Sequence, residues 1–261
     1  MNYSIVTSFN KKIYNNEHQH IVRTVQGKCP NVDFYVYNEN SFLNEDLHID
    51  GAVNLDLFKQ IPGLKNFLET SKFKDCHEIG RKDPKEYWDN PTKYLSDADH
   101  WNRNSIFWFR KICAIYDCAK ICKTPIMIWL DSDVFIEKAL DETFLDFVDK
   151  YDICAIYRKN LTGWMHTDMG VTVYNLNERT RRFIEEFYDY YKSGKTFKEY
   201  RWDDCYVFDL LTTMWSPSTA VYPAALPLDW IKCCGLTKIF GCDFNLNEYF
   251  FHDKGWTTIQ G

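Results

Sequence analysis

The feature that most restricts the fold is the run Ile126-Met127-Ile128-Trp129-Leu130, five apolar residues with no polar break. It is followed at once by Asp131-Ser132-Asp133 and then by a second apolar group, Val134-Phe135-Ile136. A strand that is apolar on both faces belongs in the middle of a sheet covered on both sides, as in parallel α/β proteins. Upstream, Lys123-Thr124-Pro125 stops a helix expected over 104–122, where Ile106, Phe107, Phe109, Ile112, Cys113, Tyr116 and Ile121 fall near helical spacing. This order places two carboxylates at the carboxyl end of a buried strand, where open α/β sheets bind ligands.

The chain opens in keeping with that architecture. A strand is expected at 3–9, a polar helix at 16–27 and a second strand at 33–38, a βαβ-type start. A further helix is expected near 62–70, and the segment GRKDPKEYWDNPTKYLSDADHW reads as a long surface loop from its charges and prolines. With 261 residues the chain can bury a sizeable core without a metal or disulfide staple. A formal charge of −6 argues against a nucleic-acid binder, which presents a basic stripe to phosphates. The N-terminus carries no signal sequence, and no run approaches the roughly 18 apolar residues that span a bilayer, so a cytoplasmic location is expected. Ten cysteines show no paired C-x-x-C spacing and are expected to be reduced and mostly buried. Cys233, Cys234 and Cys242 lack a nearby fourth ligand for zinc.

Asp131 and Asp133 have no basic residue beside them in sequence, so they repel each other and resist burial. A hard divalent cation, Mn²⁺ or Mg²⁺, would resolve the conflict. The chain holds its own control. Asp97-Ala98-Asp99 has the same spacing but follows no apolar strand, and capping or solvation explains it better.

The stretch IMIWLDSDVFI resembles the strand and D-x-D motif of the GT-A glycosyltransferases, preceded by a helix like FWFRKICAIYDCAK. Three further segments resemble that superfamily in order. HTDMGVTVYNL, residues 166–176, is similar to the N-A-G-V-hydrophobic-Asn stretch of the family-8-like retaining enzymes, with Asp168 where Asn is usual. WDDCYVF, residues 202–208, resembles the acidic element that opens a helix facing the reaction centre. FHDKGW, residues 251–256, looks like the C-terminal H-x-K-G element that supplies a metal ligand and a cation for the diphosphate.

The resemblance implies an α/β GT-A (Rossmann-like) fold with a mostly parallel central sheet flanked by helices. It implies one domain over 1–261, with about 1–136 as the nucleotide- and metal-binding half and about 137–261 facing the acceptor. The activity it implies is metal-dependent transfer of a sugar from a nucleotide-sugar, UDP favoured, to a glycan or other hydroxyl acceptor, with retention. Asp131, Asp133 and His252 would hold the metal. Ser132, Lys254 and Gly255, with Arg103 and Lys111 from the helix before the strand, would meet the diphosphate, although a solvated helix face explains Arg110 and Lys111 equally well. Since the donor lies across the carboxyl edge of the sheet, Thr7, Ser8, Phe9 and Asn38 or Glu39 are candidates for base and ribose. Asp204 is the preferred functional acid, with Asp203 capping the helix and Asp168 bonding sugar hydroxyls. Trp88, Tyr94, Trp101 and the segment Trp215 to Trp230 are candidates for an acceptor cleft, where aromatic faces serve as platforms.

Two other functions share these features. A metal-dependent nucleotidyltransferase would carry a glycine-bearing triphosphate loop after the first strand, and Thr7-Ser8-Phe9-Asn10-Lys11-Lys12 has none. An inactive glycan-binding or assembly protein of the same fold is opposed by the joint presence of the D-x-D, His252 and Lys254.

Overall fold

The computed structural model describes residues 2–9, 19–39, 47–64, 105–159, 165–199, 201–214, 230–234, 244 and 246–252. In chain order the elements are β1 (Tyr3–Phe9), α1 (Gln19–Lys28), β2 (Asp33–Asn38), β3 (Val53–Asp56), α2 (Leu57–Gln60), α3 (Ser105–Ile121), β4 (Ile126–Leu130) and β5 (Val134–Ile136). They continue with α4 (Glu142–Val148), β6 (Ile153–Lys159), β7 (Met165–Asn175), α5 (Glu178–Lys192), α6 (Asp204–Met214), β8 (Trp230–Cys234) and β9 (Phe250–His252).

Seven strands form one sheet in the order β3-β2-β1-β4-β7-β6-β8, and β5 pairs with β9 in a separate ribbon. Strands β1, β2, β3, β4, β6 and β8 run in one direction and β7 runs against them. The apolar run is therefore the central strand its sequence required, between β1 and β7, with all five residues buried. Alternation along it divides the core in two. Met127 and Trp129 pack with α3, α5 and α6, whereas Ile126, Ile128 and Leu130 pack with α1 and α4.

The helix expected over 104–122 is found as α3, and the one expected at 16–27 as α1, with 10–18 outside the described residues. Expectations for 65–101, including most of the helix near 62–70, the long loop and the second D-x-D, also fall outside them. Among the described residues no helix is long and apolar enough to cross a membrane. Cys29, Cys113, Cys118, Cys122 and Cys154 are buried thiols outside any disulfide, and Cys205 is a half-buried one.

Candidate active site

Because β1, β2 and β4 are parallel, their carboxyl ends meet at one edge of the sheet, and the acidic turn is built there. Asp131 N donates to Gly170 O of β7 at 2.8 Å, which ends β4, and Val134 N donates to Asp131 O at 3.0 Å, which closes a turn over Ser132 and Asp133. All three turn residues are half-buried. The chain then enters β5, which pairs antiparallel with β9 so that Val134 lies opposite His252. The C-terminal segment is anchored for this pairing. Tyr249 and Phe250 are buried, both rings pack on Phe144, and Glu137 N donates to Tyr249 O at 2.8 Å. The backbone of His252 thus stands across from the residue that follows Asp133.

Behind the turn lies an ion cluster with one cation and two carboxylates. Lys111 of α3 places Nζ 2.7 Å from Asp131 Oδ1 and 2.7 Å from Asp204 Oδ2, both contacts of charge rather than well-angled hydrogen bonds, and donates to Met169 O at 2.7 Å. Trp129, two residues before Asp131 and on the same face of the strand, donates Nε1 to Asp131 Oδ1 at 2.7 Å. The Lys111 and Asp204 side chains are 7% and 2% exposed, against 26% for Asp131, so only the last reaches solvent appreciably. Burial by itself would lower the Lys111 ammonium, but Asp131 and Asp204 outweigh it and hold the group above the ordinary lysine range. Burial raises the Asp204 carboxyl more than Lys111 lowers it, and the charges of Asp131 and Asp203 add to the rise. The basic neighbour that the local sequence lacks is therefore supplied by α3, and Lys111 is neither on a solvated helix face nor at the open edge.

Met169 belongs to an irregularity in β7. Ala155 of β6 pairs with Thr172 while the next residue, Ile156, pairs with Asp168, so Met169, Gly170 and Val171 have no partner on β6. The bulge brings Gly170 O to Asp131 and Met169 O to Lys111. Asp168 is buried at its start, with Oδ1 accepting from Gly170 N at 2.9 Å. Beside it, Thr167 Oγ1 donates to Asp209 Oδ1 at 2.5 Å and ties β7 to α6.

At the ends of β1 and β2, Ser8 Oγ donates to Glu39 Oε1 at 2.7 Å, and Arg110 of α3 pairs with Glu39 Oε2 at 3.4 Å. Thr7 and Phe9 point to the other face of the sheet. Phe9 packs in the core with α1, and the buried Thr7 hydroxyl has no hydrogen-bond partner among the described residues. Of the three β1 candidates only Ser8 meets the Glu39 side chain, while the Phe9 carbonyl accepts from Glu39 N at 3.2 Å.

Asp203 is the N-terminal cap of α6, accepting from Tyr206 N at 3.1 Å on Oδ1 and from Arg201 Nε at 2.8 Å on Oδ2. Asp203, Asp204 and Cys205 bring three potential ligand atoms together. Both carboxylates already have partners, so this cluster reads as a helix start. The turn fits a divalent cation better: Asp131 Oδ2 has no partner among the described residues, Asp133 is half-buried beside it, and β9 runs alongside. Arg103, Lys254 and Gly255 lie outside the described residues, as do 215–229 and Cys242, and for His252 the backbone pairing alone is described. Trp129, Arg110 and Asp209 were not singled out from sequence as site residues. Trp129 was visible there, since residues two apart on a strand share a face.

An edge of parallel strands, an acidic turn after the central strand and an antiparallel strand supporting that turn define the GT-A glycosyltransferase fold, and the chain has this fold. It is similar over 98% of its length to a solved glycosyltransferase involved in the glycosylation of the major capsid of PBCV-1, covering 94% of that chain at 13% identity and a TM-score of 0.50. It is also similar to the glycosyltransferase GlyE of Streptococcus pneumoniae TIGR4, with 81% of this chain but 43% of that chain covered, 12% identity and a TM-score of 0.47. A third similar structure is mouse xyloside xylosyltransferase 1, with 89% and 85% covered, 13% identity and a TM-score of 0.45. No family model matches the chain. No curated protein matches it in sequence.

Proposed function

We propose that this protein is a divalent-metal-dependent glycosyltransferase that moves a sugar from a nucleotide-sugar, UDP favoured, to a hydroxyl acceptor with retention. The observation that carries the reading is the acidic turn at the end of the central strand with the His252 strand paired against it. In this reading Asp131, Asp133 and His252 hold Mn²⁺ or Mg²⁺, which when bound supplies Lewis-acid stabilisation to the departing diphosphate. Ser132, Arg103, Lys254 and Gly255 bind the diphosphate. Ser8 and Glu39 bind ribose or base, with the neighbouring β1 residues Thr7 and Phe9 shaping the strand end. Asp168 orients sugar hydroxyls. Asp203 and Asp204 act from behind, one capping α6 and the other holding Lys111, which retains Asp131 instead of meeting phosphate. The domain is one unit over 1–261, with its nucleotide half over about 1–136.

The first test is thermal unfolding with UDP-, GDP-, CMP- and dTDP-sugars, with and without Mn²⁺, because a ligand that binds only the native state raises its stability by mass action. A Mn²⁺-dependent rise with one nucleotide supports the reading, and no rise with any of them removes it. With the responsive donor, Asp133→Asn is expected to abolish release of the nucleoside diphosphate while leaving the unfolding temperature unchanged or higher, since one of two crowded carboxylates is neutralised. A wild-type rate in that variant ends the assignment of Asp133. Release of pyrophosphate from a nucleoside triphosphate would indicate nucleotidyl transfer instead.

A further inference from the structure

An ammonium paired with a carboxylate that also serves a metal is an electrostatic conflict, and nothing in the proposed activity requires it. Lys111 Nζ stands 2.7 Å from Asp131 Oδ1, and that oxygen also accepts from Trp129 Nε1 at 2.7 Å, so it is taken twice and Oδ2 alone has no partner among the described residues. Lys111 is held in place from three elements: Asp131 after β4, Asp204 at the start of α6 and Met169 O in the bulge of β7. It is enclosed on α3, where salt screens its charge little. A lysine fixed in this way cannot swing out when a cation arrives.

We propose that Lys111 makes cation binding at the acidic turn conditional on the diphosphate. A divalent ion arriving alone would share Asp131 with an ammonium that repels it, whereas the diphosphate brings the negative charge that outweighs the repulsion. Metal and nucleotide then load as one complex, and by linkage each strengthens the other by the same factor. Lys111 is on this account a positioning residue that acts through Asp131. The inference rests on the reading of Asp131 and Asp133 as metal ligands.

The experiment is a Mn²⁺ titration of the full chain followed by loss of the free-ion paramagnetic resonance signal, without nucleotide, with UDP and, in parallel, with GDP. Wild type is expected to bind Mn²⁺ about tenfold or more tightly with one of the nucleotides than without. Lys111→Met is expected to raise affinity in the nucleotide-free protein about tenfold and to shrink the coupling by the same factor, a gain that loss of a merely structural lysine would not give. Because Met leaves Asp204 buried without a cation and can unfold the chain, Lys111→Met/Asp204→Asn, which removes both buried charges, is the deciding protein, with folding checked by circular dichroism. If that folded double variant binds Mn²⁺ without nucleotide no more tightly than wild type, or if wild type binds it equally with and without nucleotide, the proposal is overturned and the metal reading stands. Wild type that takes up no Mn²⁺ even with either nucleotide overturns both.

Discussion

Lys111 lies on α3 in the row 111, 115, 118, 122, whose other members Ile115, Cys118 and Cys122 are buried core residues. That spacing is the apolar stripe of a helix, and a lysine on it must find carboxylates or carry a large desolvation cost. The row is visible in the sequence, yet a solvated helix face explained Lys111 equally well there, and the fold decides for burial. Its partners were not legible there, because Asp131 and Asp204 come together only when β4 and α6 are placed in the fold. For Asp203 the local pattern sufficed, since an acid ahead of an apolar helix caps it. Asp203→Asn, which keeps an acceptor for Tyr206 N, is expected to unfold within about 0.5 kcal/mol of wild type, whereas Asp203→Ala costs about 1 kcal/mol or more. Urea denaturation of the two variants measures the difference, and equal losses would refute the capping role.

At the scale of elements, the β5–β9 ribbon shows how a three-residue strand is held by its packing. Val134, Ile136 and Phe250 are buried on one face, while Phe251 is 43% exposed on the other and touches Phe135 at a centroid distance of 6.0 Å. Phe250→Ala is expected to cost about 3–5 kcal/mol and to weaken Mn²⁺ binding with it, whereas Phe251→Ala costs under about 1 kcal/mol. Chemical denaturation together with a metal titration of each variant tests this, and a Phe250→Ala protein with unaltered Mn²⁺ affinity would separate β9 from the site. Strands β1, β2 and β4, helix α3 and the opening of α6 could be read from sequence because each has a clean apolar period or a cap. The bulge in β7 could not. It comes from pairing with two different neighbours, β4 through Val171–Asn175 and β6 across the break at Ala155/Ile156, and neither register is written in the order of residues. Nor does any local signal turn β7 against the other strands, since direction in a sheet is decided by the connections between strands.

At the scale of the whole molecule, the sheet and its two faces carry the parts to one edge. The separation between the nucleoside end and the acidic turn is set by neighbouring residues of α3: Arg110 pairs with Glu39 at the end of β2 and Lys111 with Asp131 at the end of β4. A hydrogen-exchange map of the chain should report this organisation, with amides in β1 and β4 slowest and those in the edge strand β3 exchanging early. A uniform pattern across the sheet would contradict it.

The break in β7 has a consequence in time. Residues 172–174 sit between strands on both sides, whereas 165–168 are paired to β6 alone. The same continuous strand is therefore expected to open at two rates in hydrogen exchange, slower beyond the bulge than before it, and a single rate along 165–175 would contradict this. The boundary falls at Gly170, the residue whose carbonyl holds Asp131, so the outer half of β7 can open and close while the acidic turn keeps its anchor.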